Sequence, residues 1–189
     1  MPSILLTPPA VEPLTLDEAK SYLRIDTADE DATVSALIAA ARLHVEGLTR
    51  RALITQTWRL SLDAWPDGGR IPVRPAPLRS LTAARVYDLD NVALALDTQS
   101  FVPDLAASAL NVMPWALAEP QRAAAGIELD VVCGYGDAPS DVPEPLRQAI
   151  RLLAAHWYDN RGLVAPGATL AALPASAAAL ISPYRMVSL

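Results

Sequence analysis

Apolar residues recur at helical spacing near both ends of the chain. Thr15 and Glu18 have the spacing of a capping box, in which each side chain satisfies a backbone N–H at a helix start. Asp141 and Glu144 repeat that spacing before a second apolar stripe, which predicts Asp141 as the N-cap of a helix. Apolar positions three and four residues apart mark the remaining helix. Three helices are therefore predicted, over residues 15–24, 30–50 and 142–160.

Between the second and third helices the apolar period changes from helical to alternating. Apolar and polar residues alternate at 57–62 and again at 127–133, which is typical of half-buried strands. Glycine and proline turn signals separate several shorter apolar runs. The pattern predicts a β-rich insertion over residues 54–136, in which 103–125 shows no readable period.

These elements predict an α+β fold that is mainly α, with a small helical bundle carrying the β-rich insertion between its second and third helices. Residues 1–14 are rich in proline and are predicted as an extended N-terminal arm. The domain itself is predicted over residues 15–161. A C-terminal extension, rich in alanine and proline, would occupy residues 162–189 and end in a docking tail.

Composition limits the classes of function. The chain has 189 residues, 52% of them hydrophobic but only 5% aromatic, so the core is built mainly from alanine, leucine and valine. Such a core buries little area per residue, which favours further burial between subunits. The formal net charge of −6 argues against binding DNA through phosphate contacts. No apolar run approaches the ~20 residues that span a bilayer, no secretory signal is visible, and no membrane partner is expected.

The sequence predicts no catalytic, cofactor-binding or metal-binding residues, and no cofactor. Cys133 is the only cysteine, so an intrachain disulfide is impossible. His44 and His156 are the only histidines and lie inside predicted helices, which favours ordinary packed or surface roles. A nucleophilic pair of Cys133 and His156 is conceivable, but the thiol is expected on the inward face of a strand. The glycines at 134–136 lack the spacing of a phosphate-binding loop.

Aromatic and cationic side chains at the end of the third helix are candidates for a subunit interface. Tryptophan, tyrosine and arginine are the residues that most often anchor protein interfaces. The alternative is that Trp157 closes the core and Tyr158 covers its edge. The candidates are Trp157, Tyr158 and Arg161.

The C-terminus is a second candidate surface. Exposed tails are normally polar and poorly ordered, whereas this tail is apolar with one aromatic residue and one cation after a proline. We expect it to dock on a partner by strand addition or in a groove. The residues concerned are Pro183, Tyr184, Arg185 and Met186.

Four blocks of sequence, in this order and spacing, resemble the head–tail connector (adaptor) proteins of long-tailed phages, which also occur in prophages and gene transfer agents. They cover both ends and the helical part of the chain, but constrain residues 63–126 poorly. The blocks are Leu14–Lys20 with Leu23–Asp26, Asp29–Asp31 and Leu37–Ala41; Thr49–Arg51 with Gln56–Trp58; Gly134–Gly136 with Val142–Ile150 and His156–Arg161; and Ser182–Arg185.

The resemblance implies a structural subunit in the neck of a phage or phage-like particle, assembled in the bacterial cytoplasm. It implies a homo-oligomeric ring, twelvefold in this family, beneath the capsid portal protein and next to a stopper or tail-terminator protein. Double-stranded DNA would pass through the lumen without specific binding, along acidic side chains. In this family the segment matching residues 183–186 engages the portal. The alternatives are a tail-completion or stopper protein of the same particle, a DNA-binding packaging or regulatory protein, and a small particle-associated hydrolase.

Overall fold

Strands and helices separate into two units in the computed structural model, which describes residues 2–160 and 174–186. The strand unit consists of residues 2–10 and 55–135. The helical unit consists of residues 11–54 and the described residues from 136 onward. Each unit is therefore assembled from two stretches that are separated in the sequence.

The strand unit contains two antiparallel sheets. The larger sheet has five strands in the order β1-β2-β8-β4-β5, and the smaller has three in the order β3-β7-β6. All neighbouring pairs run antiparallel. The strands are β1 Ser3–Thr7, β2 Gln56–Leu62, β3 Arg70–Pro72, β4 Leu78–Tyr87, β5 Ala93–Leu96, β6 Phe101–Asp104, β7 Ala109–Val112 and β8 Ile127–Cys133.

Strand β8 forms the centre of the larger sheet because every second residue is apolar. Ile127, Leu129, Val131 and Cys133 are fully buried, as the alternation predicts. Leu60 of β2 lies opposite Leu129 and is equally buried. The apolar face of the sheet therefore provides the core of this unit, and the polar side chains between these positions fall on the opposite face.

Four α-helices form the helical unit in its described part, together with short 3-10 turns. The predicted capping box is confirmed: the Glu18 N–H donates to the Thr15 hydroxyl and the Thr15 N–H donates to the Glu18 carboxylate. The prediction of Asp141 as the N-cap of the third helix is wrong, because Pro143 precedes that helix and Asp141 accepts from the Ala138 N–H instead. The helices are α1 Leu16–Leu23, α2 Asp31–Thr49, α3 Glu144–Asp159 and α4 Ala175–Ile181.

The prediction of a mainly helical bundle is wrong. The region between α2 and α3 contains seven of the eight described strands and forms two sheets with their own core. Within the segment expected to be an extended arm, Ser3–Thr7 pair with β2 as an edge strand of the larger sheet. The pairing of β1 with β2 leaves no local signal in the sequence, because the paired residues Ser3 and Leu60 are more than 50 residues apart.

Candidate interaction surfaces

The predicted docking tail lies directly after α4 in the helical unit. A 3-10 turn over Ser182–Tyr184 follows the helix. The side chains of Pro183 and Arg185 are exposed, whereas Tyr184 and Met186 are half-buried. The four predicted residues are therefore not equivalent, and only Pro183 and Arg185 present most of their surface to solvent.

Two hydrogen bonds attach this tail to the end of α2. The Arg51 guanidinium Nε donates to the Tyr184 carbonyl at 2.8 Å, and the Met186 N–H donates to the Thr49 carbonyl at 3.2 Å. Arg50, which follows the helix, has a left-handed backbone with φ of 55°, so the chain turns sharply between Thr49 and Arg51. The end of α2 thus fixes the backbone of the tail.

Replacing Arg51 by alanine is expected to loosen the tail without unfolding the helical unit. A hydrogen bond from a charged donor contributes roughly 1.5 kcal/mol, so the Met186 amide should exchange its hydrogen about tenfold faster. Hydrogen exchange followed by mass spectrometry on the C-terminal peptide measures this change. The matched control is Arg50→Ala, which removes an exposed arginine next to it. Equal exchange in both variants would show that the Arg51 bond does not hold the tail.

Two of the three candidates at the end of α3 lie among the described residues. Trp157 is half-buried, and its ring packs edge-on against His44 of α2 with 5.8 Å between ring centroids and 80° between planes. Tyr158 is half-buried as well. Arg161 lies outside the described residues. Trp157 therefore has an aromatic contact within its own unit. Its role as a subunit-interface residue stays a prediction.

A charged cluster near the start of the helical unit has no clear signal in the sequence. Arg42 lies on α2 beside the predicted apolar stripe, yet it is buried. Its guanidinium contacts Glu12 at 2.7 Å and Glu46 at 2.8 Å, and Glu46 also accepts from the Leu53 N–H at 2.9 Å. Burial opposes the charge of Arg42, but the two carboxylates raise its pKa overall. The cluster ties the segment before α1 and the turn after α2 to the same helix.

A second charged cluster lies on the polar face of the larger sheet. Asp130 of β8 accepts two hydrogen bonds from Arg59 of β2, at 2.7 and 3.0 Å, and one from Arg85 of β4 at 2.6 Å. Glu128 lies 3.1 Å from Arg85 and 3.4 Å from Arg59. The hydrogen bond from Arg59, although opposed by burial, lowers the pKa of Asp130, and Arg85 adds to the effect. The cluster joins the three central strands through side chains as well as backbone.

Exposed apolar side chains of the strand unit concentrate at three places. Residues 4–6 lie on edge strand β1, and residues 89–94 lie at and before edge strand β5. The third place adjoins the smaller sheet, where Trp115 is 81% exposed beside a shallow groove lined in part by Val102, Met113 and Leu117. Scattered single apolar residues are normal on a surface, but contiguous groups of this kind mark interaction sites.

Cys133, the candidate nucleophile, is fully buried. Burial raises the pKa of Cys133 to about 12, which keeps the thiol protonated and therefore a poor nucleophile at neutral pH. Across residues 2–160 and 174–186, no three histidine, cysteine, aspartate or glutamate side chains are grouped as metal ligands would be. In the same ranges, no helix has the length and apolar character needed to cross a membrane.

Comparisons with known proteins identify the class. Residues 13–95 match the family model described as "Phage gp6-like head-tail connector protein". A chain from the virion of a native gene transfer agent (GTA) particle is 31% identical, with a TM-score of 0.81, and the match covers 100% of this chain and 97% of the other. No curated protein sequence matches significantly.

Two further solved structures agree with this match. A chain from the neck of an empty GTA particle computed with C6 symmetry is 32% identical, with a TM-score of 0.82 over 100% of this chain and 97% of that one. A chain from the neck of a native GTA particle computed with C12 symmetry is also 32% identical, with a TM-score of 0.72 over 98% and 97%. The fold and these matches define a structural subunit of phage-like particles. Within that class, the chain belongs to the phage head–tail connector family.

Proposed function

We propose that this protein is a head–tail connector subunit in the neck of a phage-like particle. The full-length match to chains of GTA particles, at 31% and 32% identity, carries this proposal. The match covers both the helical unit and the strand unit, so it does not depend on one common supersecondary motif. The function is geometric, because the subunit joins other proteins and holds an opening through which DNA passes.

Identical copies form a ring in this proposal, and we infer twelve copies. The similar chains come from necks computed with C6 and C12 symmetry, both of which are compatible with a twelvefold ring. A ring of identical subunits closes only if one surface of each copy contacts a different surface of the next. Each subunit must therefore carry two distinct interface patches.

The ring is proposed to lie beneath the portal protein and above a stopper or tail-terminator protein. The tail residues Pro183, Tyr184, Arg185 and Met186 are the proposed portal contacts. Support comes from the exposure of Pro183 and Arg185, and from the attachment of the tail backbone to α2, which reduces the entropy lost on docking. Many linked copies bind with a high effective concentration, so weak single contacts are enough.

DNA is proposed to pass through the ring without binding to it. A net charge of −6 gives little affinity for phosphate, because that affinity comes mainly from clustered lysine and arginine. We propose that acidic side chains line the opening and keep the DNA mobile. A ring structure with a strongly basic lumen would contradict this part of the proposal.

Deleting the gene is expected to give DNA-filled heads without tails. The expected phenotype follows from the position of the proposed ring, since the ring is the surface on which the tail would join the head. Negative-stain electron microscopy counts tailed and tailless particles, and restoring the gene on a plasmid is the control. Complete particles without the protein would refute the proposed function, whereas tails lacking only their upper end would favour a tail-completion role.

A further inference from the structure

The larger sheet of the strand unit ends in two apolar edges. Strands β1 and β5 are its outermost strands, and each has only one neighbour. Monomeric proteins usually protect such edges with charged side chains or proline. Here the two strands read Ser-Ile-Leu-Leu-Thr and Ala-Leu-Ala-Leu, without charge or proline. Ile4 on one edge is 59% exposed and Leu94 on the other is 55% exposed.

We propose that the β1 edge of one copy packs against the β5 edge of the next copy in the ring. The inference rests on the proposed ring and adds the surfaces that close it. A ring requires two distinct interface patches on each subunit. The two edges meet this requirement, because they are different surfaces on opposite sides of one sheet. A second copy is the fitting partner, since both edge strands are apolar and neither β1 nor β5 contains a charged side chain that would demand an oppositely charged protein.

Sheet twist decides how the two edges meet. Neighbouring strands rotate by about 20–25°, so four steps turn β5 by roughly 80–100° from β1. The two register shifts between β4 and β8 increase the local twist further. A twelvefold axis rotates a copy by only 30° (360° divided by 12), so β5 and the neighbouring β1 cross at about 50° or more.

Strands that cross at such an angle cannot share a hydrogen-bonded ladder. The contact must therefore be made by side chains, as in sheets that pack at a steep angle. This explains why the edges are apolar as well as uncharged. On β1, Ile4 and Leu5 point to opposite faces and Leu6 lies at a register shift between Leu5 and Thr7, and all three are at least 40% exposed. Leu89, Val92 and Leu94 provide the opposite patch.

Cysteine cross-linking tests the contact directly. The variant with Leu5→Cys and Leu94→Cys places one thiol on each edge, and a short bismaleimide is added to assembled particles. Leu5 and Leu94 of one copy are separated by four strand spacings, about 19 Å, which is beyond the reach of a short linker. Cys133 is fully buried and provides no background. We expect a ladder of covalent multimers on a denaturing gel.

Matched controls separate this contact from chance collisions. Replacing Leu94→Cys by Leu105→Cys keeps the number of thiols and nearly the same exposure, 53% against 55%, but moves one thiol off the edge. That variant and each single variant should remain monomeric on the gel. Tailed particles that contain the double variant but give no ladder would overturn the edge contact and leave the connector function intact. Particles that contain no copies at all would overturn the proposed function itself.

Discussion

Replacing Asp130 by asparagine is expected to lower the free energy of unfolding of the strand unit by about 3 kcal/mol at neutral pH. The Asp130 side chain is only 10% exposed and accepts from Arg59 and Arg85 together. Without its charge, two guanidinium groups remain close to each other on one sheet face. Glu128 still contacts both, which keeps the loss at the lower end of the range for a broken buried pair. Urea denaturation followed by tryptophan fluorescence measures the change.

The difference in the free energy of unfolding between wild type and Asp130→Asn should disappear in acid. The pKa of Asp130 is lower in the folded protein than in the unfolded chain, chiefly because of the hydrogen bond from Arg59. Its stabilisation is therefore fully present above the unfolded pKa of about 3.9 and is lost as the pH falls through the folded value. Unfolding curves of wild type and Asp130→Asn should converge below this range.

Asp104→Asn is the control for the charge change. Asp104 pairs with Arg70 at 3.1 Å on the exposed face of the smaller sheet, where water screens the interaction. Asp104→Asn should lower the free energy of unfolding much less than Asp130→Asn does. If the free energies of unfolding of Asp130→Asn and wild type differed by the same amount from neutral pH into acid, the Asp130 charge would not be what stabilises the sheet.

Sequence patterns predicted those elements that depend only on residues close together in the chain. Period-two alternation located β8, and the spacing of Thr15 and Glu18 located the start of α1, because both depend on residues close in sequence. The pairing of β1 with β2 was missed, since Ser3 lies opposite Leu60 across the whole of α1 and α2. The same limit explains Arg42, whose burial depends on Glu12 from the proline-rich segment.

The candidate surfaces show the same division. Residue type identified the tail and the end of α3 as unusual, but it could not show that Tyr184 and Trp157 already have contacts within the helical unit. The apolar residues of β1 and β5 were visible in the sequence as ordinary strand residues. Their significance depends on strand order, because only the order places both at the edges of one sheet.

Replacing Arg185 by glutamate is expected to abolish the joining of tails to heads while leaving the subunit folded. The Arg185 side chain is exposed, so its reversal removes no buried interaction. If one docking contact loses ~1.4 kcal/mol, a single tail binds the portal about tenfold more weakly. In a ring the contacts are linked and their losses multiply, so the fraction of tailed particles should fall by more than about 100-fold.

Two measurements separate this multiplied effect from a simple folding defect. Binding of the purified subunit to isolated portal protein gives the single-contact loss, and counting tailed particles by electron microscopy gives the loss in the assembled ring. Arg24→Glu is the control. Arg24 follows α1 in the helical unit and is also exposed, and its substitution reverses the same charge. A fall in tailed particles no larger than the fall in single-contact affinity would mean that the tails do not act together. Equal effects of Arg24→Glu and Arg185→Glu would mean that net charge, and not a docking tail, controls the joining of heads to tails.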